Sequence, residues 1–312
     1  MGVLTREVGI SWNDFVMKLL FGLLALPLLS NSSFSQTAVA QKEYILAKKV
    51  APLPTGKKFK VVKNMSMPDT RVGIEVRGRQ MDRTMSRSNK DESIFEFVSD
   101  DKIRVTYLKK RGLKRTSAGG QEQEEEEVEV AEGKSFILEK KEGKWTGKLE
   151  EGEVEEADQE SIDKVIKRLE QTFNQSNDEH MYGTEPRKVG DSWEVDPTFM
   201  PGMDEVDITG GKMTMTFLEV KNYEGEPCAV LRTSFAMDGT PEEEMMKGAV
   251  VKLTGNGRIL RSLNHLADFK FTGEMTMKMT GDFEPQPGIK AKMTMNGSMK
   301  MDMRTSEVKE GE

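Results

Sequence analysis

Two stretches near the C-terminus decide the fold of this chain: residues 269–283 (FKFTGEMTMKMTGDF) and residues 291–303 (AKMTMNGSMKMDM). In both stretches the odd-numbered positions carry Phe, Met, Ala or Gly, and the even-numbered positions carry polar or charged residues. Successive side chains of a β-strand point to opposite faces of the sheet. The pattern therefore predicts two long antiparallel strands, joined through the Pro-containing segment 284–288, with one apolar face and one polar face.

The length of these strands predicts a bent sheet. Residues 269–283 would span roughly 50 Å at about 3.4 Å per residue, which is too long for a flat strand in a compact domain. Gly273, Gly281 and Gly297 are expected to let the strands bend or bulge. We predict a mainly β (α+β) fold, in which one or more strongly curved antiparallel sheets form a half-barrel or clam-like shape with one amphipathic helix packed against it.

The rest of the chain supplies further strands and this one helix. Runs rich in Val, Ile, Phe and Tyr at 59–62, 72–76, 94–98 and 103–108 are typical of strands. In residues 158–175 the apolar residues recur on one helical stripe; they are Ile162, Val165, Ile166, Leu169 and Phe173. This helix is expected to separate an N-terminal β-rich half, 41–157, from a C-terminal β-rich half, 184–308.

Two shorter segments carry predictions of their own. The run QEQEEEEVEVAE at 121–132 is too charged to be core, and predicts an acidic loop or a solvated extended edge. It lacks the alternating Asp, Asn and Gly spacing of a calcium loop. The dipeptide Asn256-Gly257 predicts a tight hairpin turn, because both residues tolerate positive φ.

The N-terminal residues 1–40 read as a bacterial-type secretory signal peptide. The apolar run 19–29 is too short to cross a bilayer, and Ala38-Val39-Ala40 supplies a small-x-small cleavage pattern. Translation is expected to start at Met17, where Met-Lys-Leu-Leu begins an ordinary signal. An uncleaved membrane anchor is the alternative. No cysteine follows the apolar run, so we predict an exported, periplasmic or extracellular protein that is not a lipoprotein and keeps no transmembrane segment after processing.

Composition argues against several functional classes. The formal net charge of −7 disfavours nucleic acid and anionic membrane surfaces as partners. With two histidines and a single cysteine, Cys228, the chain lacks the cluster that a zinc site needs. Nucleophile-elbow and phosphate-loop motifs are absent from the sequence. We therefore expect a non-catalytic protein without a cofactor or a metal.

The methionine-rich face is the candidate site, and three interpretations of it remain open. It is a core in which methionine fills irregular gaps, a pliable groove for a lipid, acyl chain or peptide, or a thioether site for Cu(I). In the first case the protein has a purely structural role. The candidate ligand-binding residues are Met213, Met215, Phe271, Met275, Met277, Met279, Met293, Met295, Met299 and Met301.

Two motifs carry a family resemblance. Residues 186–193, which include Val189-Gly190-Asp191-Ser192-Trp193, and residues 257–262 (GRILRS) are the segments concerned. With the amphipathic strands that follow them, they resemble a family of secreted bacterial β-rich proteins of unknown function. The resemblance implies a signal peptide, a β-rich body, a turn at this motif and a final long hairpin. It implies no catalytic residues.

Overall fold

The computed structural model describes residues 42–47, 55–151, 154–174, 178–199, 206–241, 246, 248–286 and 289–308. The predicted signal peptide, 1–40, lies outside these residues. The described part of the chain is mainly β, with 12 strands in one sheet. The strands are β1 Lys58–Val76, β2 Arg79–Ser99, β3 Lys102–Ala118, β4 Gln121–Val128, β5 Ser135–Lys141, β6 Lys144–Leu149, β7 Ser192–Val195, β8 Val206–Tyr223, β9 Glu226–Pro241, β10 Val250–Ser262, β11 Asp268–Gln286 and β12 Ile289–Glu307.

The sheet is antiparallel, and most neighbouring strands are also neighbours in sequence. Its order is β6, β5, β3, β2, β1, β12, β11, β10, β9, β8, β7, and β4 pairs with β3 beside β5. The sheet is not closed, since β6 and β7 lie at its two ends. The one long-range join is the ladder between β1 and β12, which runs from Phe59 opposite Glu307 to Val76 opposite Ala291. This ladder makes the two β-rich halves one sheet.

Tight turns join several of these strands. Between β1 and β2, Arg77 and Gly78 have φ values of 51° and 75°. Glu142-Gly143 and Glu224-Gly225 show the same pair of positive values between β5 and β6 and between β8 and β9. Two consecutive residues with positive φ are the mark of the type I′ turn, whose twist matches that of paired strands. These turns set the register of the hairpins.

The methionine strands β11 and β12 form the predicted hairpin, with the predicted faces. Met275 lies opposite Met299 and Met279 opposite Met295, so the odd-numbered residues of both strands share one face. We call this the apolar face and the opposite one the polar face. Continuing the register across β1 places Met65 opposite Met301 on the same apolar face.

The prediction of a turn at Asn256-Gly257 is wrong. Both residues lie inside β10, which pairs without interruption with β9 on one side and with β11 as far as Leu260 on the other. A Cβ on the preceding Gly255 would lie 2.7 Å from the Glu274 carbonyl oxygen and 3.0 Å from the Phe235 ring. Gly255 therefore allows the neighbouring strands to lie close together. Pairing with a strand on each side overrides the local preference of Asn256-Gly257 for a turn.

The acidic run is a strand over most of its length rather than a loop. Residues Gln121–Val128 form β4, which pairs with β3. Its carboxylates face basic residues of the neighbouring strands: Glu124 pairs with Arg115, Glu125 with Lys114, and Glu127 with Arg87. The basic neighbours offset the repulsion that disfavours a run of glutamates. A highly charged edge strand also resists pairing with another chain.

Helix α1, Glu156–Asn174, begins two residues before the predicted start and ends one residue before the predicted end. Its residues Ile162, Val165 and Leu169 are buried with Phe136 and Trp145 of the β5–β6 hairpin. Gly147 permits the close approach, because a Cβ there would lie 2.9 Å from the Ile166 side chain. A short helix α2, Asp178–Tyr182, and a 3₁₀ turn, Pro197–Phe199, follow.

Candidate functional site

All ten predicted ligand-binding residues lie within one buried cluster on the apolar face. Each of them is at most 8% exposed, and Met213, Met215 and Met279 are fully buried. Met213 and Met215 come from β8, where they face β9, so two strands separate them from the residues of β11. In the described structure the methionine face is an interior and is not an open surface.

The strand register brings methionines of neighbouring strands together in pairs. The pairs are Met275 with Met299, Met279 with Met295, and Met65 with Met301. Side chains directly opposite each other in an antiparallel sheet have Cβ atoms about 4.5–5.5 Å apart. Flexible thioethers in this arrangement can pack against each other in many rotamers.

Several residues of this interior were missed from the sequence. Met65 and Met67 of β1, Met237 of β9, and Met181 of α2 belong to the same buried cluster. The short alternation Asn64-Met65-Ser66-Met67 carried a signal for two of them. Nothing local indicates that β1 lies beside β12, since that pairing joins residues near opposite ends of the chain.

Glycines bring other parts of the chain close to the interior. A Cβ on Gly281 would overlap Ala249, and one on Gly297 would lie 2.5 Å from the Thr70 hydroxyl. Thr70 is 1% exposed, and Thr233 on β9 is fully buried. Neither hydroxyl has a hydrogen-bond partner among the described residues. Buried hydroxyls without partners are rare in proteins.

One end of the cluster is held by Arg261, which is 2% exposed. Its Nε donates to the Leu46 carbonyl oxygen at 2.7 Å, and its Nη1 donates to Asp268 at 2.8 Å. It also pairs with Asp178, and its guanidinium lies 3.8 Å from the Tyr182 ring centroid. Arg261 thus ties the N-terminal segment 42–47 and helix α2 to the sheet.

The predicted motif at Val189-Gly190-Asp191-Ser192-Trp193 forms a turn that leads into β7. Gly190 has φ of 99°, and the Asp191 carboxylate accepts a hydrogen bond of 2.7 Å from the Lys188 amide. The Trp193 indole N–H donates to the Met181 carbonyl oxygen. The Ser192 hydroxyl lies 2.9 Å from that of Thr216. The motif therefore anchors β7 and α2 against the core.

A group of charged side chains, of which Lys110 is buried and the others are partly buried or exposed, lies beside the methionine cluster. We call it the charged junction; its members are Lys63, Asp91, Lys110, Glu129 and Arg168. Lys63 is opposite both Met303 and Asp91, and Asp91 is opposite Lys110. The Lys110 side chain is 5% exposed, and its Nζ lies 2.7 Å from Glu129 and 3.9 Å from Asp91.

Electrostatics single out one amine of this junction. Burial lowers the pKa of Lys63 to about 7, and the positive charges of Lys110 and Arg168 act in the same direction, while Asp91 and Glu129 oppose the shift. Burial likewise raises the pKa of the Tyr107 phenol, whose ring centroid lies 5.6 Å from the Lys110 Nζ. Loss of solvation disfavours the charged form of an amine.

The remaining candidates for reactive or metal-binding groups give no sign of a site. Burial raises the pKa of the Cys228 thiol to about 11, so the thiol stays protonated and unreactive. Within the described ranges, no three His, Cys, Asp or Glu side chains are grouped so that they could hold a metal ion. No helix of the described chain is both long and apolar enough to cross a membrane.

Two hollows lie mainly on the polar face. One, of about 690 Å³, is lined by Asn64, Ser66, Ser88, Lys90, Arg111 and Lys300, among others. The second, of about 560 Å³, includes Arg71, Asp82, Lys278, Thr280 and Thr294 in its lining. Their side chains are mostly polar, in contrast to the methionine interior on the other side of the same strands.

Comparison with known proteins identifies no family. No protein-family model and no curated protein matches the chain. Among solved structures it is similar to lipovitellin, with a TM-score of 0.41 and 8% identity over 83% of this chain and 26% of that one. It thus spans about a quarter of the lipovitellin chain.

Two outer membrane proteins also align with the chain. The outer membrane channel of Pseudomonas putida F1 has a TM-score of 0.23 and 9% identity, over 81% of this chain and 97% of that one. OprG of Pseudomonas aeruginosa has a TM-score of 0.21 and 9% identity, over 85% and 99%. All three TM-scores are below 0.5, so these similarities carry no conclusion about function.

Proposed function

We propose that this is an exported, non-catalytic protein that binds an apolar ligand, such as a lipid or an acyl chain, among the methionines of the apolar face. The observation that carries the proposal is the choice of side chain at the inward positions of β11 and β12. Those positions are mostly buried and lie in paired strands, and methionine holds eight of the fifteen in 269–283 and 291–303, with Phe, Gly and Ala at the others.

A core built only for stability favours other residues at such positions. Val, Ile and Phe fit the pleated surface of a sheet best, and β-branched side chains have little rotamer freedom to lose on burial. Methionine has three flexible torsions and a polarisable sulfur, and it repacks around partners of different shape. A methionine interior therefore favours deformability over a unique packing, which suits a site that must take up and release a ligand.

The shape we infer for the sheet provides an enclosure. The buried cluster draws residues from β1 and β7 to β12, all in one sheet, together with Leu46 and helix α2. With no second sheet in the described chain, such burial is best explained if the sheet curves around its own apolar face. The register shifts between Met67 and Thr70 in β1, and between Phe217 and Glu219 in β8, supply bends of the required kind.

The two buried hydroxyls support a ligand in the same interior. Thr70 and Thr233 each leave a polar atom with no hydrogen-bond partner in the described part of the chain, which costs about 1–3 kcal/mol per group in an apolar environment. A purely structural core would be more stable with valine at both positions. A ligand that carries a polar atom, or water that enters with it, can satisfy them.

The test is native mass spectrometry of the protein after export to the periplasm of a bacterial host, before and after gentle organic extraction. We expect a co-purifying species of lipid mass that extraction removes and that added lipid restores. If the protein purified from the periplasm carries no bound lipid, and takes up none from lipid vesicles, the result would contradict the proposal and favour a structural role.

A matched pair of variants tests the role of pliability. Met277→Ile with Met295→Ile keeps the interior apolar but stiffens it, so we expect lipid uptake to fall several-fold while the thermal midpoint is retained or rises. Met81→Ile is the control, because Met81 is 47% exposed on β2. Equal lipid uptake by the wild type, the double variant and Met81→Ile would show that lipid binding does not depend on the flexibility of the methionine side chains.

Cu(I) binding is the second candidate, and the paired methionines favour it. Met275 opposite Met299, with Met301 one inward position away, brings three thioethers from two strands into one neighbourhood. Soft thioether ligands select Cu(I). The same mass spectra separate the candidates, because one copper adds a small mass that organic extraction leaves in place and a Cu(I) chelator removes.

A further inference from the structure

The second hollow of the polar face, of about 560 Å³, brings together side chains from four neighbouring strands, β2, β1, β12 and β11. Lys278 of β11 lies opposite Asn296 of β12, which lies opposite Arg71 of β1. In the next row Thr280 lies opposite Thr294. Since neighbouring strands are about 4.8 Å apart, Lys278 and Arg71 start from backbone positions roughly 10 Å apart, with a polar side chain between them.

Gly73 keeps the floor of this hollow open. It lies opposite Thr294 on one side and Asp82 on the other. A Cβ at this position would lie 2.8 Å from the Thr294 hydroxyl and 3.2 Å from the Asp82 carboxylate. The register of β1 against β12 shifts between Ser66 and Arg71, beside the hollow. Shifts of this kind bend a strand and change the direction of its side chains.

The cations of this hollow outnumber its carboxylates. Arg71, Arg83 and Lys278 are among its lining residues, and none of the three forms an ion pair within the described part of the chain. Asp82 is the one acidic residue among the described lining residues, and its carboxylate accepts a hydrogen bond of 3.0 Å from the Gln80 amide. Three cations against one carboxylate leave a surplus of two positive charges.

The first hollow, which is formed by the same face of the sheet, has a different charge balance. Each of its three lining cations is paired with a carboxylate. The pairs are Lys90 with Glu92, Arg111 with Glu132 and Lys300 with Glu274, at 2.8, 2.6 and 3.5 Å. The second hollow therefore differs from its neighbour in having cations that are free to pair with an external anion.

We propose that the second hollow binds a phosphate monoester, whose phosphate group lies between Lys278 and Arg71. Such a group carries about −1.5 to −2 charges at pH 7 and three acceptor oxygens, which matches the surplus charge. A guanidinium binds phosphate oxygens through two N–H groups. The hydroxyls of Thr280 and Thr294 and the amide of Asn296 supply further donors. A volume of about 560 Å³ is that of a small-molecule site, so the esterified group is also accommodated.

This site is separate from the ligand proposed for the methionine interior. Lys278 and Thr280 flank Met279 in β11, and successive side chains of a strand point to opposite faces. The phosphate site therefore lies across the sheet from the methionines. Protein that carries lipid and protein from which lipid has been extracted are expected to bind the phosphate equally.

The experiment titrates glycerol 3-phosphate calorimetrically, at low salt, into the wild type and three variants. Lys278→Met is expected to weaken binding about tenfold, the effect of one charge-assisted hydrogen bond. Asp82→Asn removes the carboxylate of the lining and is expected to strengthen binding several-fold, a gain that mere destabilisation does not produce. Lys300→Met is the matched control, because Lys300 is an exposed lysine of the same face that is paired with Glu274, and it should bind as the wild type does.

Glycerol, which lacks the phosphate, is the control ligand and should not bind. Vesicles of phosphatidylcholine with and without phosphatidic acid identify the source of the phosphate monoester. Binding to phosphatidic acid vesicles alone, lost in Lys278→Met, assigns the site to a lipid headgroup, and binding of glycerol 3-phosphate assigns it to a soluble ligand. If the wild type binds neither, or if Lys278→Met and Lys300→Met weaken binding equally, the inference is overturned. None of these results depends on the lipid content of the methionine interior, so the proposed function is tested separately.

Discussion

At the scale of single residues, the burial of Lys63 has a measurable effect on folding. Its amine has a pKa near 7 in the folded protein against 10.5 for a free lysine. The unfolded chain therefore binds more protons between these values, and stability rises as the pH increases from about 7 to about 10. The buried ammonium therefore destabilises the folded protein most below pH 7.

Lys63→Met is expected to raise the thermal midpoint at pH 6, with a gain that shrinks as the pH rises towards 10. Differential scanning calorimetry of wild type and variant from pH 6 to pH 10 checks this. Lys292→Met, which removes an exposed lysine, provides the control with no pH-dependent gain. A gain for Lys63→Met that is equal at pH 6 and pH 10 would show that its charge is not buried.

Two glycines on long strands give a second prediction at this scale. A Cβ on Gly281 would overlap backbone atoms of Ala249, whereas Gly210 has open space at the same position and an unstrained backbone. Gly281→Ala is expected to destabilise the fold by about 1–3 kcal/mol, as overpacking does. Gly210→Ala should stay within about 0.5 kcal/mol of the wild type. Urea unfolding measures both, and equal midpoints would disprove the close contact.

At the scale of elements, two ion pairs of strand β4 are expected to contribute differently to the stability of the fold. Glu127 pairs with Arg87, whose side chain is 15% exposed and also donates to Asn89. Glu124 pairs with Arg115, and both side chains are more than half exposed. An exposed pair contributes little because water and salt screen it, while a partly buried arginine that loses its partner stays desolvated.

Glu127→Gln is therefore expected to destabilise the protein by about 1 kcal/mol, and Glu124→Gln by less than about 0.5 kcal/mol. Chemical denaturation at low salt compares the two variants directly. A larger effect for Glu124→Gln would mean that β4 is held by its exposed charges and not by the pair at Arg87.

The acid response of this hairpin follows from Glu132. Hydrogen bonds from the Arg111 side chain and the Lys110 amide lower its pKa to about 2. A lowered carboxyl pKa contributes stability that is present above about pH 4.5 and is lost as the pH falls towards 2. We expect Glu132→Gln to flatten the acid side of the stability curve, measured by urea unfolding between pH 5 and pH 2. An unchanged curve would place the acid sensitivity elsewhere.

At the scale of the whole molecule, the β1–β12 ladder makes the two halves one sheet. Trp145 lies in the N-terminal half and Trp193 in the C-terminal half, each buried in a different cluster. In protein that begins after residue 40, Trp193→Phe leaves Trp145 as the only reporter, and Trp145→Phe leaves Trp193. Because the halves share a sheet, the fluorescence transition in each variant is expected to coincide with its own circular dichroism transition. Separate transitions would show two units that unfold independently.

Local sequence predicted the elements with strong periodicity. The hairpin of β11 and β12 and its two faces follow from alternation alone, because strand geometry admits one side-chain period. The mainly β class follows equally from the spacing of the short apolar runs. Asn256-Gly257 shows the limit of local sequence, since turn propensity is local and pairing with the strands on both sides overrides it. Residues Gln121–Val128 adopt the extended-edge alternative of their prediction, as strand β4.

By itself, then, the sequence determined that the chain is mainly β and that the methionines of β11 and β12 share one face. Only the tertiary structure decided that this face is buried and that Met65 and Met67 of β1 complete it. The same is true of Lys63, which meets Asp91 and Lys110 beside the methionines. The reason is physical: alternation along a strand is encoded residue by residue, whereas the partner of a strand depends on contacts between distant parts of the chain.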